Sequence, residues 1–306
     1  MTGTRRLVSF DWAIKKLLRS KANFEILEGF LSELTGEKVK IIEILESETN
    51  REHKLDKYSR IDLKTVNDKG EIILIEIQYN DELGFFHRLL YGISKTLSEH
   101  LSSGHDYSKV VKVISIGIAY FDLGQGEDYV YHGKTRFIGI HKQDELKLSL
   151  IQQDFFKKDY PSELYPELYL IKVNNFDDVA RNTLDEWIYF LKNEEIKDDF
   201  KAQGIHKAKE ELDIMKLSTE ERREYEAFIE DLRFQGSMFQ SSYGVGYKKG
   251  EDEGYKKGEN DGYKKGEDRK AVDIAYKMLL NKVNVDSIAD ITGLSKEIIE
   301  SLKKPL

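Results

Sequence analysis

The chain has 306 residues, of which 40% are hydrophobic and 34% charged, and its formal net charge is −8. This composition is typical of a folded globular protein, and the acidic balance argues against a broadly basic surface, so a nucleic acid would have to bind at a local patch with the help of a metal ion. Because the chain has no cysteine, no apolar run of membrane-spanning length and no signal-peptide pattern, we expect a cytoplasmic protein without disulfides, thiolate metal sites or membrane contact.

Residues 1–175 show the pattern of a mixed α/β core. Helices are predicted over Trp12–Leu18, Phe24–Leu34 and Phe85–Leu101, where apolar residues recur at helical spacing. Strands are predicted at Lys40–Leu45, in a hairpin over 60–78, at Val110–Tyr120, near Tyr129 and at Arg136–His141. The nearly continuous apolar run of Val110–Tyr120 is typical of a strand buried on both faces. We therefore expect a mixed sheet flanked by helices.

The hairpin over 60–78 is the most informative segment, because its turn decides which side chains face each other. Both arms are rich in β-branched and apolar residues, and the turn sequence Asn67-Asp-Lys-Gly70 separates them. A type I turn with Gly70 in the left-handed region pairs Asn67 with Glu71. Further along the same register, Lys64 pairs with Leu74, Asp62 with Glu76 and Arg60 with Gln78.

This register gives the hairpin one polar and one apolar face. The polar face carries Asp62, Lys64, Glu76 and Gln78, and the apolar face carries Ile61, Leu63, Ile73, Ile75 and Ile77. Two carboxylates directly opposite each other, with Cβ atoms roughly 5 Å apart, repel. A hard divalent cation such as Mg²⁺ would turn that repulsion into a binding site. The alternative is a solvated pair of acids with Lys64 and Arg60 as cross-strand ion partners.

The remainder of the chain is predicted to be helical in three parts. Residues 176–240 form a charged helical extension with an apolar stripe at Trp187–Leu191, residues 241–268 form a repeat, and residues 269–306 form a small helical tail. The tail resembles a helix-turn-helix, with Gly293 at the bend and Ser295 capping the second helix. That second helix is poor in the side chains that read base edges, which favours a packing or docking module over a DNA reader.

The repeat over 241–268 has an eight-residue period, with glycine at every fourth position from Gly246 to Gly266. Each interior glycine costs a helix about 1 kcal/mol relative to alanine. One interpretation is a flexible, charge-balanced tether. The other is a helix whose glycine stripe lets a second copy approach closely, which would make the protein a homo-oligomer.

The order and spacing of these motifs resemble the PD-(D/E)XK nuclease superfamily, and in particular the Rpn group of recombination-promoting nucleases and transposases. The resemblance is carried by Asp62 and Glu76-Ile-Gln78, by the opening segment Phe10-Asp-Trp-Ala-Ile-Lys-Lys-Leu-Leu, by Phe86-His-Arg-Leu-Leu-Tyr-Gly-Ile-Ser, and by the glycine repeat before a helical end. It extends over nearly the whole chain. It implies a restriction-endonuclease-like fold and a DNA endonuclease that depends on Mg²⁺ or Mn²⁺, associated with recombination or mobile DNA.

Carried over to this chain, the resemblance implies that Asp62 and Glu76 are the metal ligands. Gln78 stands where many members of the superfamily have lysine, and a neutral amide cannot stabilise charge as an ammonium does. Lys64 is a candidate for the missing cation. Arg88 and Tyr91, one turn apart on the next helix, are candidates to contact phosphate. Asp11 is a candidate for an extra acid, and capping of its own helix is the alternative role.

Two functional hypotheses follow. The first is a metal-dependent endonuclease in which Asp62 and Glu76 hold the metal and Gln78 orients water or phosphate. The second, suggested by the absence of the motif lysine, is a catalytically inactive protein with a nuclease fold that binds DNA or a protein partner.

Overall fold

A six-stranded mixed sheet forms the centre of the fold, as the sequence predicts. The computed structural model describes residues 7–16, 18–45, 61–101 and 106–303. Its strands are β1 (Ile41–Leu45), β2 (Leu63–Asn67), β3 (Ile72–Gln78), β4 (Val113–Ala119), β5 (Val130–Lys134) and β6 (Glu167–Lys172), in the spatial order β1-β2-β3-β4-β6-β5. Strands β3, β4 and β6 run parallel, and the other neighbouring pairs are antiparallel. The predicted α/β fold class is confirmed.

The helices lie before, between and after these strands. They are α1 (Phe10–Lys16), α2 (Phe24–Thr35), α3 (Phe85–His100), α4 (Leu150–Phe156), α5 (Thr183–Asn193), α6 (Ile205–Glu211), α7 (Thr219–Leu280), α8 (Val285–Thr292) and α9 (Lys296–Ser301). None of them, among the residues that the structure describes, is long and apolar enough to span a membrane.

The hairpin of β2 and β3 has the predicted turn and register. Gly70 has φ = +75°, and the Asn67 N–H donates to the Glu71 carbonyl at 3.1 Å. The Asn67 side chain also accepts from the N–H groups of Lys69 and Glu71, at 3.0 and 2.8 Å, which fixes the turn. Lys64 pairs with Leu74 as predicted. The predicted pairing of Arg60 lies outside the described residues.

The ladder ends one residue earlier than the register predicts. The last pair is Leu63 with Ile75, and the Asp62 N–H donates to the Ile75 carbonyl at 3.0 Å. The Asp62 carboxylate then accepts the N–H of Ile77 at 2.7 Å, a role that a regular strand would give to a backbone carbonyl. The prediction that Asp62 faces Glu76 in the ladder is therefore wrong. Ile61 is also misplaced by the prediction, since it packs on the same side as Leu74.

The two faces of the sheet are covered by different helices. The larger core combines the aromatic side chains of α1, α2 and α5 with one face of the sheet, and it includes Phe10, Phe30, Trp187 and Phe190. Helix α3 covers the other face, where Phe85, Leu89 and Ile93 are buried. The apolar stripe at Trp187–Leu191 is thus part of the main core.

A glycine in β4 sets how closely α3 approaches the sheet. Gly117 is the direct neighbour of Glu76 on the adjacent strand. A Cβ atom at Gly117 would lie 2.9 Å from Leu89 Cδ1 and 3.1 Å from Phe85 Cε1, closer than packed carbon atoms tolerate. The missing side chain therefore lets α3 lie directly over β4 and brings Arg88, the residue before Leu89, beside Glu76.

The strand predicted at Arg136–His141 does not form. This segment folds back on itself, with Gly139 N–H donating to the Asp144 carbonyl and Arg136 paired with Glu145. The strand that completes the sheet is β6, and helix α4 precedes it, neither of which the sequence interpretation contained. The short apolar run at residues 168–171, within the sequence Glu-Leu-Tyr-Leu-Ile-Lys of β6, is the sequence signal that could have indicated this strand.

Residues Gln235–Leu306 form a second compact unit, and residues up to Phe234 form the first. The glycine repeat belongs to α7, and, apart from the adjacent residues and backbone of the helix itself, no atom of the described residues lies within 4 Å of the position of a Cβ at any glycine from Gly236 to Gly266. The tail has the predicted bend, with Gly293 at φ = +71° and Ser295 capping α9. Its small core contains Ala275, Ile288 and Ile299. The four-part division of the chain remains a prediction.

Candidate active site

Glu76 is a carboxylate buried inside the sheet. It belongs to β3, and only 4% of the residue is exposed. Burial raises the pKa of Glu76 to about 7, Arg88 acts in the opposite direction, and the negative charge of Asp62 adds to the increase. A carboxyl group in this position is poorly stabilised as an anion, because the effect of burial on its pKa outweighs that of Arg88.

Arg88 of α3 is the cation beside Glu76. Its Nε lies against Glu76 Oε1, its Nη1 contacts Glu82, and its Nη2 donates to Gln78 Oε1 at 3.1 Å. Only 16% of the side chain is exposed. Neither Glu76 Oε1 nor Arg88 Nε has the alignment of a hydrogen bond, so their contact is an ion pair without that directional bond. Arg88 therefore orients the polar groups of β3 and leaves little of its guanidinium for solvent.

Asp62 lies at the bend before β2, with its two carboxylate oxygens committed to different partners. Oδ2 accepts the Ile77 N–H, and Oδ1 lies 3.2 Å from Lys15 Nζ. The Asp62 backbone carbonyl accepts from Arg19 at 3.1 Å. Burial raises the pKa of Asp62, while Lys15 and the Ile77 N–H act in the opposite direction. Asp62 is thus anchored to the strand that carries Glu76 and is approached by cations from the first helical segment.

Asp11 and Lys15 bring α1 into this site. Lys15 Nζ lies 2.6 Å from Asp11 Oδ1, and the two residues are one turn apart on α1. Asp11 is 2% exposed, and burial raises its pKa to about 6, with Lys15 opposing and Asp62 adding to the increase. Lys15 therefore bridges two acids, Asp11 and Asp62. Asp11, the expected extra acid, is connected to the site by this lysine.

The other predicted site residues are placed as follows. Gln78 donates from Nε2 to the Asn80 carbonyl at 3.0 Å, so its amide is held between Asn80 and Arg88. Tyr91 is 44% exposed on α3. Lys64 lies 3.3 Å from Glu99 near the end of α3, and among the described residues no ion pair joins it to Asp62 or Glu76. Lys64 has its predicted position in the ladder, but its side chain pairs with Glu99 and not with Asp62 or Glu76.

Sequence reasoning missed Lys15 and Arg19. One signal was available, since Asp11 and Lys15 are spaced for contact on a helix that also carries the apolar residues Phe10, Trp12 and Ile14. Two polar residues on such a helix indicate a shared buried partner. The partner, Asp62, is 47 positions away from Lys15, and no local pattern identifies it.

The donor set suits a hard divalent cation. Asp62 and Glu76 offer carboxylate oxygens, and Mg²⁺ is usually bound by one or two carboxylates while it keeps several waters. Within residues 7–16, 18–45, 61–101 and 106–303, no group of three or more acidic or histidine side chains is arranged to hold a metal. A metal here would therefore need water or substrate oxygens to complete its coordination.

Comparison with known proteins identifies a family for the chain. No curated protein and no solved structure matches the chain. A family model does match: that of the PD-(D/E)XK nuclease family transposases, over residues 8–233. The match spans most of the chain and includes all the site residues described above, which confirms the predicted family and indicates a nuclease-like role associated with mobile DNA. The chain is a member of the PD-(D/E)XK nuclease family transposases.

Proposed function

We propose that the protein is a metal-dependent DNA endonuclease that hydrolyses phosphodiester bonds, with Asp62 and Glu76 as ligands of Mg²⁺ or Mn²⁺. The observation that carries the proposal is the electrostatics of these two acids. Glu76 is buried and Asp62 is largely buried near the carboxyl end of β3, burial raises the pKa of both, and the negative charge of Asp62 raises the pKa of Glu76 further. A divalent cation relieves that unfavourable state.

The bound metal would activate a water molecule and stabilise charge on the phosphoryl group. The chain's own residues do the positioning. The Ile77 N–H fixes one oxygen of Asp62, so the carboxylate keeps its direction. Arg88 fixes Glu76 and the amide of Gln78 together. Gln78 orients water or phosphate, and Tyr91, exposed on the same helix as Arg88, contacts the DNA backbone.

Cleavage of supercoiled plasmid tests this function. The wild type is compared in Mg²⁺, in Mn²⁺ and in EDTA with Asp62→Asn and Glu76→Gln, which keep side-chain shape and remove charge. Glu99→Gln on α3 is the matched control, since Glu99 pairs with Lys64 outside the site. We expect metal-dependent nicking that both site variants lose and the control keeps. Nicking that survives both site changes would contradict the assignment.

A wild-type chain that does not cut any plasmid would favour the second hypothesis, a protein of nuclease fold that only binds. Binding of labelled duplex DNA in EDTA then decides between a DNA-binding and a protein-binding role. A DNA-binding module retains duplex with an affinity that falls as salt increases.

We also propose that the glycine repeat associates with a second copy of the chain. The rows of the helix that begin at Lys248 and Lys249 place lysines four residues from acidic side chains, as in the pair Lys249 and Glu253 with Nζ and Oε1 3.9 Å apart, and such pairs partly offset the cost of the glycines. Removal of residues 244–266 should reduce the mass in light scattering from oligomer to monomer. An unchanged mass would contradict association through the repeat.

A further inference from the structure

The position that carries lysine in many PD-(D/E)XK nucleases carries no cation in this chain. It is occupied by Gln78, and both ends of the Gln78 amide already have partners, Arg88 and the Asn80 carbonyl. An amide in this position cannot supply positive charge to a phosphate. If the reaction needs an ammonium group near Asp62, another element must provide it.

Three cations near the site are poorly placed for that task. Arg88 is enclosed by Glu76, Glu82 and Gln78. Lys64 pairs with Glu99 and not with Asp62 or Glu76. Arg19 contacts the backbone carbonyl of Asp62 and leaves the carboxylate to another group.

Lys15 has the required position. Its ammonium contacts the Asp62 carboxylate at 3.2 Å, and Asp11 holds it from the other side at 2.6 Å. The Lys15 side chain is 38% exposed, whereas those of Asp11 and Asp62 are 3% and 11% exposed. Of these three groups, the lysine is the one that a bound nucleic acid reaches first. An ordinary lysine is protonated at neutral pH, so the group that reaches the phosphate is an ammonium.

We infer that Lys15, from the first helix, takes the place of the strand lysine and contacts the phosphate that is cut, an inference that rests on the proposed nuclease function. Hydrolysis adds one water across one P–O bond and yields a phosphate monoester and a free hydroxyl. Lys15 keeps its proton throughout and donates hydrogen bonds to the phosphate oxygens, which stabilises their charge. Asp11 is a positioning residue that holds the ammonium beside Asp62.

Lysine variants with a neighbouring control test this assignment. Lys15→Ala and Lys15→Arg are compared in plasmid nicking with Lys16→Ala. In the wild type, the ion pair of Lys16 is with Glu224, outside the group of Asp11, Asp62 and Glu76. We expect Lys15→Ala to cut at least about 100-fold more slowly, as removal of one charge-stabilising donor does elsewhere. Lys15→Arg should keep part of the activity, and Lys16→Ala should cut as the wild type does.

Two further measurements separate chemistry from structural support. Mn²⁺ binding by calorimetry, without DNA, should be as tight in Lys15→Ala as in the wild type or tighter, because an ammonium beside Asp62 repels the metal. The double variant Lys15→Ala, Gln78→Lys should cut at least about ten-fold faster than Lys15→Ala alone, since it returns an ammonium to the strand position. If Lys15→Ala does not fold, the effect of removing the lysine is measured in a background of Asp11→Asn. The single variant Asp11→Asn is then compared with the double variant Asp11→Asn, Lys15→Ala, in which the loss of Lys15 leaves one buried acid fewer without a partner than in Lys15→Ala alone.

Two results would overturn the inference while the nuclease function stands. One is a Lys15→Ala variant that cuts at the wild-type rate. The other is a Lys15→Ala variant that loses both cutting and Mn²⁺ binding and that neither Gln78→Lys nor arginine at position 15 restores, which is the behaviour of a structural lysine. A wild-type chain that does not cut at all would overturn the proposed function, and this inference with it.

Discussion

A single buried acid, Glu167, and a group of three acids around Glu76 lie at opposite ends of the parallel strands of the sheet. At the amino end of β6, Glu167 is surrounded by Lys112, His132 and Lys134, at 2.8, 2.9 and 3.6 Å. Although burial acts in the opposite direction, the hydrogen bond and charge of Lys112, with help from His132, lower the pKa of Glu167. This carboxylate is therefore paired with two lysine ammonium groups, which favour its charged form.

The group near the carboxyl end of β3 has the opposite balance. Asp11, Asp62 and Glu76 share the contacts of Lys15 and Arg88, and Arg88 is also bound to Glu82. The pKa values of all three acids are raised, mainly by burial. An acid with surplus cations stabilises a fold, whereas acids with too few cations lower stability and provide room for another cation. This contrast supports the proposal that Glu167 has a structural role and that the acids around Glu76 bind a metal.

The largest expected effect is on cleavage. Glu76→Gln should reduce metal-dependent nicking more than about 100-fold. Changing a residue that only hydrogen-bonds to a metal ligand costs about 10- to 100-fold in activity, and loss of the proposed ligand itself should cost more. Glu167→Gln should leave nicking within a few-fold of the wild type, since Glu167 lies at the other end of the strands. Equal losses in the two variants, measured on folded protein, would remove the distinction between the two groups.

The second effect is on stability at alkaline pH without metal. In the folded state, the pKa of Glu76 is raised from 4.5 to about 7, so the stability that its neutral form provides is complete below pH 4.5 and is lost as the pH rises through about 7. Glutamine cannot ionise and keeps that stability. The free energy of unfolding of Glu76→Gln at pH 8 should therefore exceed that of the wild type by on the order of 1–3 kcal/mol, and its Tm should be higher.

The matching measurement is the difference in Tm between Glu76→Gln and the wild type at pH 5 and at pH 8, in EDTA. The difference should be larger at pH 8. A variant that is less stable than the wild type at pH 8 would mean that the ion pair of Glu76 with Arg88 outweighs the cost of burial.

The third effect concerns Glu167 and has the opposite sign. Because its pKa is lowered, its stabilising contribution is complete above the ordinary value of 4.5 and is lost as the pH falls through the lower folded value. Glu167→Gln should therefore destabilise the protein by about 1–2 kcal/mol near pH 7, and the difference should shrink below pH 4.5. Urea unfolding at pH 7 and pH 4 measures it. A stability difference between Glu167→Gln and the wild type that is the same at both pH values would show that Glu167 does not stabilise the fold through its charge.

Much of the fold follows from local patterns in the sequence. The hairpin register follows from the turn at Asn67 and Gly70, and the position of β4 follows from its apolar run, because both depend on neighbours in the chain. The glycine repeat is helical, a result that its composition left open. The segment after β5 was misjudged because apolar residues such as Ile138 and Ile140 suggest a strand, yet they are exposed in a loop.

The site was harder to predict, since its geometry depends on distant contacts. Asp62 and Glu76 were identified as a pair, but the bend at Asp62 arises because its own carboxylate takes the Ile77 N–H. Lys64 had the right ladder position and was drawn away by Glu99. Lys15 reaches Asp62 only because α1 packs against the sheet, which depends on buried residues such as Phe10 and Trp187. Tertiary packing, and not local propensity, decides these contacts.

The measurement that most directly tests the central claim is calorimetric titration of Mn²⁺ into the folded protein without DNA. The wild type and Glu167→Gln should each bind the metal at one saturable site, and Asp62→Asn and Glu76→Gln should each lose it. This result would establish that the acids with too few cations form a metal centre. Saturable binding that is equal in all four proteins, or absent from the wild type, would contradict it.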